Sequence, residues 1–111
     1  MEKIVLKNDG LLQFTYLKNI IYCKGDKDCT TFYLLNDSSL STDKGIDYYK
    51  KKLPASSFLS PENGVLVNIT HVASLRTAWP CYIELTNGER IHMAFFRKKH
   101  IIEKIERLQS C

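Results

Sequence analysis

A chain of 111 residues with 44% apolar and 25% charged side chains has the size and mixture of one globular domain, able to bury a core without a metal or disulfide staple. Its formal charge of +4 is too mild to name a polyanionic partner, so the placement of that charge matters more than its sum. No run nears the ~18 apolar residues of a membrane span, and the apolar run at the N-terminus is too short for a secretion signal. A cytoplasmic protein with no membrane partner is therefore expected.

The predicted elements run mostly as strands. Lys3–Lys7 and Leu11–Tyr16 flank the turn tripeptide Asn8-Asp9-Gly10. Asn19–Lys24 is a third apolar strand, followed by the polar loop Gly25-Asp26-Lys27-Asp28. Cys29–Leu35 is rich in β-branched and aromatic residues, Asn36-Asp37 makes a turn, and Ser39–Thr42 can pair back.

The character then changes. Ile46, Tyr49 and Leu53 fall on one face of a short helix over about 43–53, which Thr42 or Asp43 can cap and Pro54 stops. Lys50, Lys51 and Lys52 lie in its last turn, where the helix dipole favours positive charge. Phe58-Leu59 reads as a buried anchor, and Pro61-Glu62-Asn63-Gly64 as a turn. Val65–Ile69, His71–Arg76 and Cys81–Thr86 are further strands, with Asn87-Gly88 as a hairpin turn into Arg90–Phe95. Ile101, Ile102, Ile105 and Leu108 mark a closing helix over about 97–108. The fold class is mainly β, as one domain over 1–111.

Chemistry-bearing clusters are scarce. Cys23, Cys29, Cys81 and Cys111 and the histidines His71, His92 and His100 never fall at the tight spacing of a zinc site. Free thiols are expected, with Cys23 and Cys81 in apolar strands. No glycine-rich phosphate loop or nucleophile motif occurs, so neither catalysis nor a cofactor is expected.

Four segments, in order, resemble the LytTR family of bacterial transcription regulators. They are Ile20-Ile21-Tyr22-Cys23-Lys24-Gly25-Asp26 through Thr30-Thr31-Phe32-Tyr33-Leu34; Leu53-Pro54 followed by Phe58; Leu66-Val67-Asn68-Ile69-Thr70-His71-Val72; and Ile83-Glu84-Leu85-Thr86-Asn87-Gly88-Glu89-Arg90-Ile91. The resemblance covers about residues 12–108. It implies short antiparallel sheets in an elongated arrangement. It also implies that loops enter successive major grooves of double-stranded DNA, with a homodimer on repeated half-sites as a further expectation. No receiver domain is expected within these residues, so phosphorylation control would be expected to come from another chain.

The resemblance implies Arg, His and Arg or Lys where this chain has Ser60, Glu62 and Asn63, and Ser-Arg where it has Ala94-Phe95. The candidate DNA contacts are therefore Lys27 and Asp28 in the first loop, Glu62 and Asn63 in the turn, and the displaced run Arg97, Lys98 and Lys99. An asparagine can read an adenine edge, and a glutamate can accept from a cytosine amine. Three cations starting a helix oppose its dipole by about 0.3–1 kcal/mol each at low salt, a conflict that a phosphate partner would explain; a solvated helix surface is the plain alternative.

Asn68 reads as a structural cap, Trp79-Pro80 as a loop packed on the sheet, and Tyr48-Tyr49 and Phe95-Phe96 as core. The competing functional reading is a LytTR-like scaffold that binds protein, or itself, without reading DNA.

Overall fold

The computed structural model describes residues 2–109. Strands β1 (Lys3–Asn8) and β2 (Leu11–Tyr16) form a hairpin in which Asn8 lies opposite Leu11. Its two connecting residues, Asp9 and Gly10, both take positive φ, 46° and 82°. That is the type I′ geometry whose twist matches the flanking strands. A five-stranded antiparallel sheet follows, built from β3 (Ile20–Gly25), β4 (Thr30–Leu34), β5 (Ser39–Thr42), β6 (Phe58–Leu59) and β7 (Val65–Asn68) in the order β5-β4-β3-β7-β6. Strands β8 (Val72–Arg76), β9 (Tyr82–Leu85) and β10 (Arg90–His92) make a three-stranded sheet, and helices α1 (Ile46–Lys52) and α2 (Lys98–Gln109) complete the chain. The extents, 43 × 28 × 25 Å, make the molecule elongated, and the mainly β, antiparallel expectation holds.

Two apolar cores sit on opposite faces of β3 and β7. Leu66 and Cys23 join Phe32, Tyr49, Phe58 and Leu6 on one face. Val65 and Val67 join Ile83, Leu85, Met93 and Ile101 on the other. Successive strand residues alternate between faces, so a strand buried on both sides reads as an unbroken apolar run, as Val65-Leu66-Val67 does. Strand β3 departs from strict alternation. Its pairing with β4 slips between Ile20 and Tyr22, and the adjacent Ile21 and Tyr22 both join the second core, as a bulge permits. The Tyr49 ring meets Phe32 edge to face at 4.8 Å, fixing α1 against the sheet.

Several expected boundaries shift. The short helix spans Ile46–Lys52, not 43–53, because other contacts take its would-be caps. Thr42 ends β5, and its hydroxyl donates to Thr30 O at 2.8 Å, while the Asp43 carboxylate accepts from Asp9 N at 2.9 Å. Gly45 precedes the first helical residue and has no side chain to cap with. The strand expected over His71–Arg76 starts at Val72, since Ile69–His71 forms a 3-10 turn. Strand β10 ends at His92 instead of Phe95, and Phe95–Arg97 forms a 3-10 turn leading into α2.

Two burial expectations fail. Phe95 and Phe96 are 72% and 78% exposed, and Trp79 is 83% exposed. Tyr49 is fully buried and Tyr48 half-buried. Cys23 and Cys81 are buried free thiols and Cys29 is exposed, and burial pushes the Cys23 thiol up to about 12. Cys111 lies outside the described residues.

Asn68 caps as expected, and does more. Its carbonyl oxygen accepts from Thr70 N at 3.1 Å and from the Thr70 hydroxyl at 2.9 Å. Its amide donates to Ile20 O at 3.0 Å and Leu17 O at 3.2 Å. Each buried backbone group left unpaired costs about 1–3 kcal/mol. Asn68→Ala, which strands partners on both sides, should lower unfolding free energy in urea by about 2–3 kcal/mol; a loss under about 1 kcal/mol would contradict this account.

Candidate nucleic-acid interface

Three loops meet at one end of the five-stranded sheet. The first joins β3 to β4. Asp26 shapes it, its carboxylate accepting from Asp28 N at 2.8 Å and Cys29 N at 3.0 Å. These amides, Cys29's foremost and then Asp28's, hold the exposed Asp26 carboxyl below its usual value. The loop is pinned from outside by Ile46 N donating to Asp26 O at 2.8 Å. A Cβ on Gly45 would lie 2.2 Å from Lys27 O, so only glycine lets the start of α1 come this close. Lys27 and Asp28 are left exposed.

The second loop is the turn Pro61–Gly64. Gly64 has φ of 80°, and a Cβ there would stand 2.5 Å from Gly25 O. The two backbones touch, with Gly25 N donating to Gly64 O at 2.8 Å. This contact sets the first loop beside the second.

The third segment leads from β10 into α2. Ala94 N donates to Pro61 O at 2.8 Å, which brings it against the turn. Arg97 then reaches across. Its guanidinium donates to Ser60 O at 3.1 Å, to Ser60 Oγ at 2.7 Å and to Asn63 Oδ1 at 2.6 Å. All three acceptors are neutral, so three of the five guanidinium donors are paired and the positive charge is not cancelled. The Asn63 oxygen keeps a second lone pair, and its amide nitrogen has no partner among the described residues.

The expected contact residues thus fall into distinct groups. Asn63 and Arg97 touch directly, and Lys27 and Asp28 are tied to them through the Gly25–Gly64 contact. Glu62 is turned aside, its carboxylate 2.8 Å from His92 Nδ1. The Lys98 ammonium donates to Thr77 O at 2.9 Å. Lys99 is exposed and unpartnered among the described residues. Ser60, which supports Arg97, and His92, which holds Glu62, carry no pattern in the sequence that marks them. The exposed Phe95 and Phe96 had one available signal, since two adjacent residues of a regular strand point to opposite faces.

A family model, the LytTr DNA-binding domain, matches residues 12–106. The chain belongs to the LytTR family. Among solved structures, it is similar to the LytTr DNA-binding domain described for a methyl-accepting/DNA response regulator of Bacillus cereus. The TM-score is 0.78 at 14% identity, over 95% of this chain and 97% of that one. No curated protein matches. At this identity the structural likeness establishes the fold, and the family model establishes the membership.

The first loop of this LytTR domain has a pH signature. A carboxyl whose folded-state pKa is depressed stabilises the fold above its unfolded value, and that stability is lost as pH falls through the folded-state value. The Asp26 carboxyl, followed by carbon-detected NMR, should therefore titrate below 3.8. A midpoint at or above 3.8 would show that the two amide contacts do not persist in solution.

Proposed function

We propose that this LytTR domain binds double-stranded DNA as the reading module of a transcription regulator, with the Asn63–Arg97 pair at the centre of its contact surface. The 2.6 Å bond between those side chains carries the reading. It supports an asparagine amide presented on a turn by a cation that retains its charge. An asparagine with a donor and an acceptor available can pair with the N6 and N7 edge of adenine. In this scheme Arg97 orients Asn63 and adds positive potential, while Lys27 and Lys99, exposed on flanking segments, engage phosphates. Lys98 adds charge close to the surface. Glu62, already beside His92, and Asp28, next to Lys27, limit how closely phosphates can approach. Phosphate contacts fix register and base contacts supply sequence preference.

One observation favours a second reading. Trp79, Phe95 and Phe96 are exposed beside the same α2 start, with Lys98 linking the segments through Thr77 O and through the Phe95 ring at 5.5 Å. Exposed aromatics are enriched where proteins bind proteins. A scaffold that binds protein would use this edge.

In-vitro selection of DNA sites, repeated with variants, separates the two. Asn63→Ala should remove about 1–3 kcal/mol of preference at one base position. Lys99→Ala should weaken all sites alike and flatten the slope of log K against log salt by about one. Two copies on repeated half-sites would bind cooperatively in the same titrations. Absence of binding at low salt, or binding that does not respond to salt, defeats the DNA reading.

A further inference from the structure

We propose that the cleft between α1, β6 and α2 binds a small amphipathic carboxylate. The cleft encloses about 340 Å³, at the small end of the about 300–1,000 Å³ typical of ligand pockets. Its floor is apolar, formed by Leu53, Phe58, Leu66 and Ile101, all buried. Its rim is cationic, carrying Lys50, Arg97 and Lys104 beside the polar ring of His100, and no acidic side chain lines it. Phe96 stands at the mouth with 78% of its surface exposed.

The two halves ask for two different things. The floor asks for an apolar body, because apolar surface gains about 25 cal/mol for each Å² it removes from water. The rim asks for negative charge. Lys104 makes the demand sharpest. Its ammonium donates to Phe58 O at 2.7 Å and to Ala55 O, so two of its three donors meet neutral carbonyls and the third has no partner among the described residues. Burial, and next the nearby Arg107, lower its pKa. A carboxylate seated in the cleft would accept a hydrogen bond from the third N–H and relieve that unfavourable charge. A bare inorganic anion would leave the floor wet, and a neutral hydrocarbon would leave the cations unanswered. The occupant combining both properties is a free monocarboxylate with a short apolar chain. Arg97 belongs to both the cleft rim and the Asn63 contact, so the cleft lies against the back of the proposed DNA surface without depending on it.

Octanoate titrated into the full chain, below its micelle-forming concentration, tests this without any DNA. Calorimetry should give one saturable site, with NMR amide shifts concentrated at Lys50, Ile101 and Lys104. Acetate, charged but lacking the chain, and 1-octanol, with the chain but no charge, should each bind at least about tenfold more weakly. Lys104→Met should weaken octanoate about tenfold. Because that variant also releases two backbone carbonyls, Ala55→Phe at the exposed cleft edge serves as the second: it should obstruct the site and leave thermal unfolding unchanged. The proposal is overturned by the absence of a saturable site, by shifts lying elsewhere, by 1-octanol or acetate matching octanoate, or by unaltered affinity in a folded Ala55→Phe chain.

Discussion

The architecture hangs on one buried amide. Three sheets must join at a point where the chain twice leaves regular structure, at the 3-10 turns Leu17–Asn19 and Ile69–His71. Each turn leaves backbone groups without ladder partners, and buried groups cannot turn to water. Asn68 stands between them, 3% exposed, and supplies a donor to Leu17 O and Ile20 O and an acceptor to Thr70 N. The hairpin β1–β2 arrives through the first turn and the three-stranded sheet departs through the second. Among neutral side chains only Asn and Gln carry two donor hydrogens beside an acceptor oxygen, and Gln adds a methylene to a site already filled. The one residue therefore aligns the N-terminal hairpin, the central sheet and the second sheet.

A different constraint, backbone against backbone, builds the candidate interface. Gly25 and Gly64 come so close that a side chain on Gly64 would strike Gly25 O. Their hydrogen bond continues the β3–β7 pairing one step past its last register pair, Lys24 with Val65. The loops thus take their positions from the sheet. Surface loops are ordinarily its most mobile parts, but here the strands between two cores extend directly into them.

Much of the fold was legible because it follows from burial on the strand period. Val65-Leu66-Val67 is apolar on both faces, and Asn8-Asp9-Gly10 is turn chemistry with a mechanism. The errors share one cause, which is competition decided in three dimensions. Thr42 and Asp43 are good caps in isolation, but Thr30 and Asp9 claim them first. Phe95 and Phe96 look like core until β10 ends at His92 and the chain turns away. For the site, residue identities were legible and partnerships were not. Thirty-four positions separate Asn63 from Arg97, and nothing local in a serine at position 60 indicates that it will receive a guanidinium.

Those partnerships explain how two of the three cations at the beginning of α2, Arg97 and Lys98, are tolerated. Positive charge near a helix N-terminus costs about 0.3–1 kcal/mol for each group, and hydrogen bonds made by charged groups return about 1.5–3 kcal/mol each. Arg97 and Lys98 are both directed at oxygens of the loops they face, which offsets the dipole. The choice of acceptor then decides the surface field. Had Arg97 paired with Glu62, one step from Asn63 in the same turn, the charges would cancel. Instead Glu62 faces His92, and Arg97 faces a serine, a backbone carbonyl and an asparagine. Satisfying a cation with neutral acceptors anchors it without neutralising it, and so leaves its charge beside a turn that contains a glutamate.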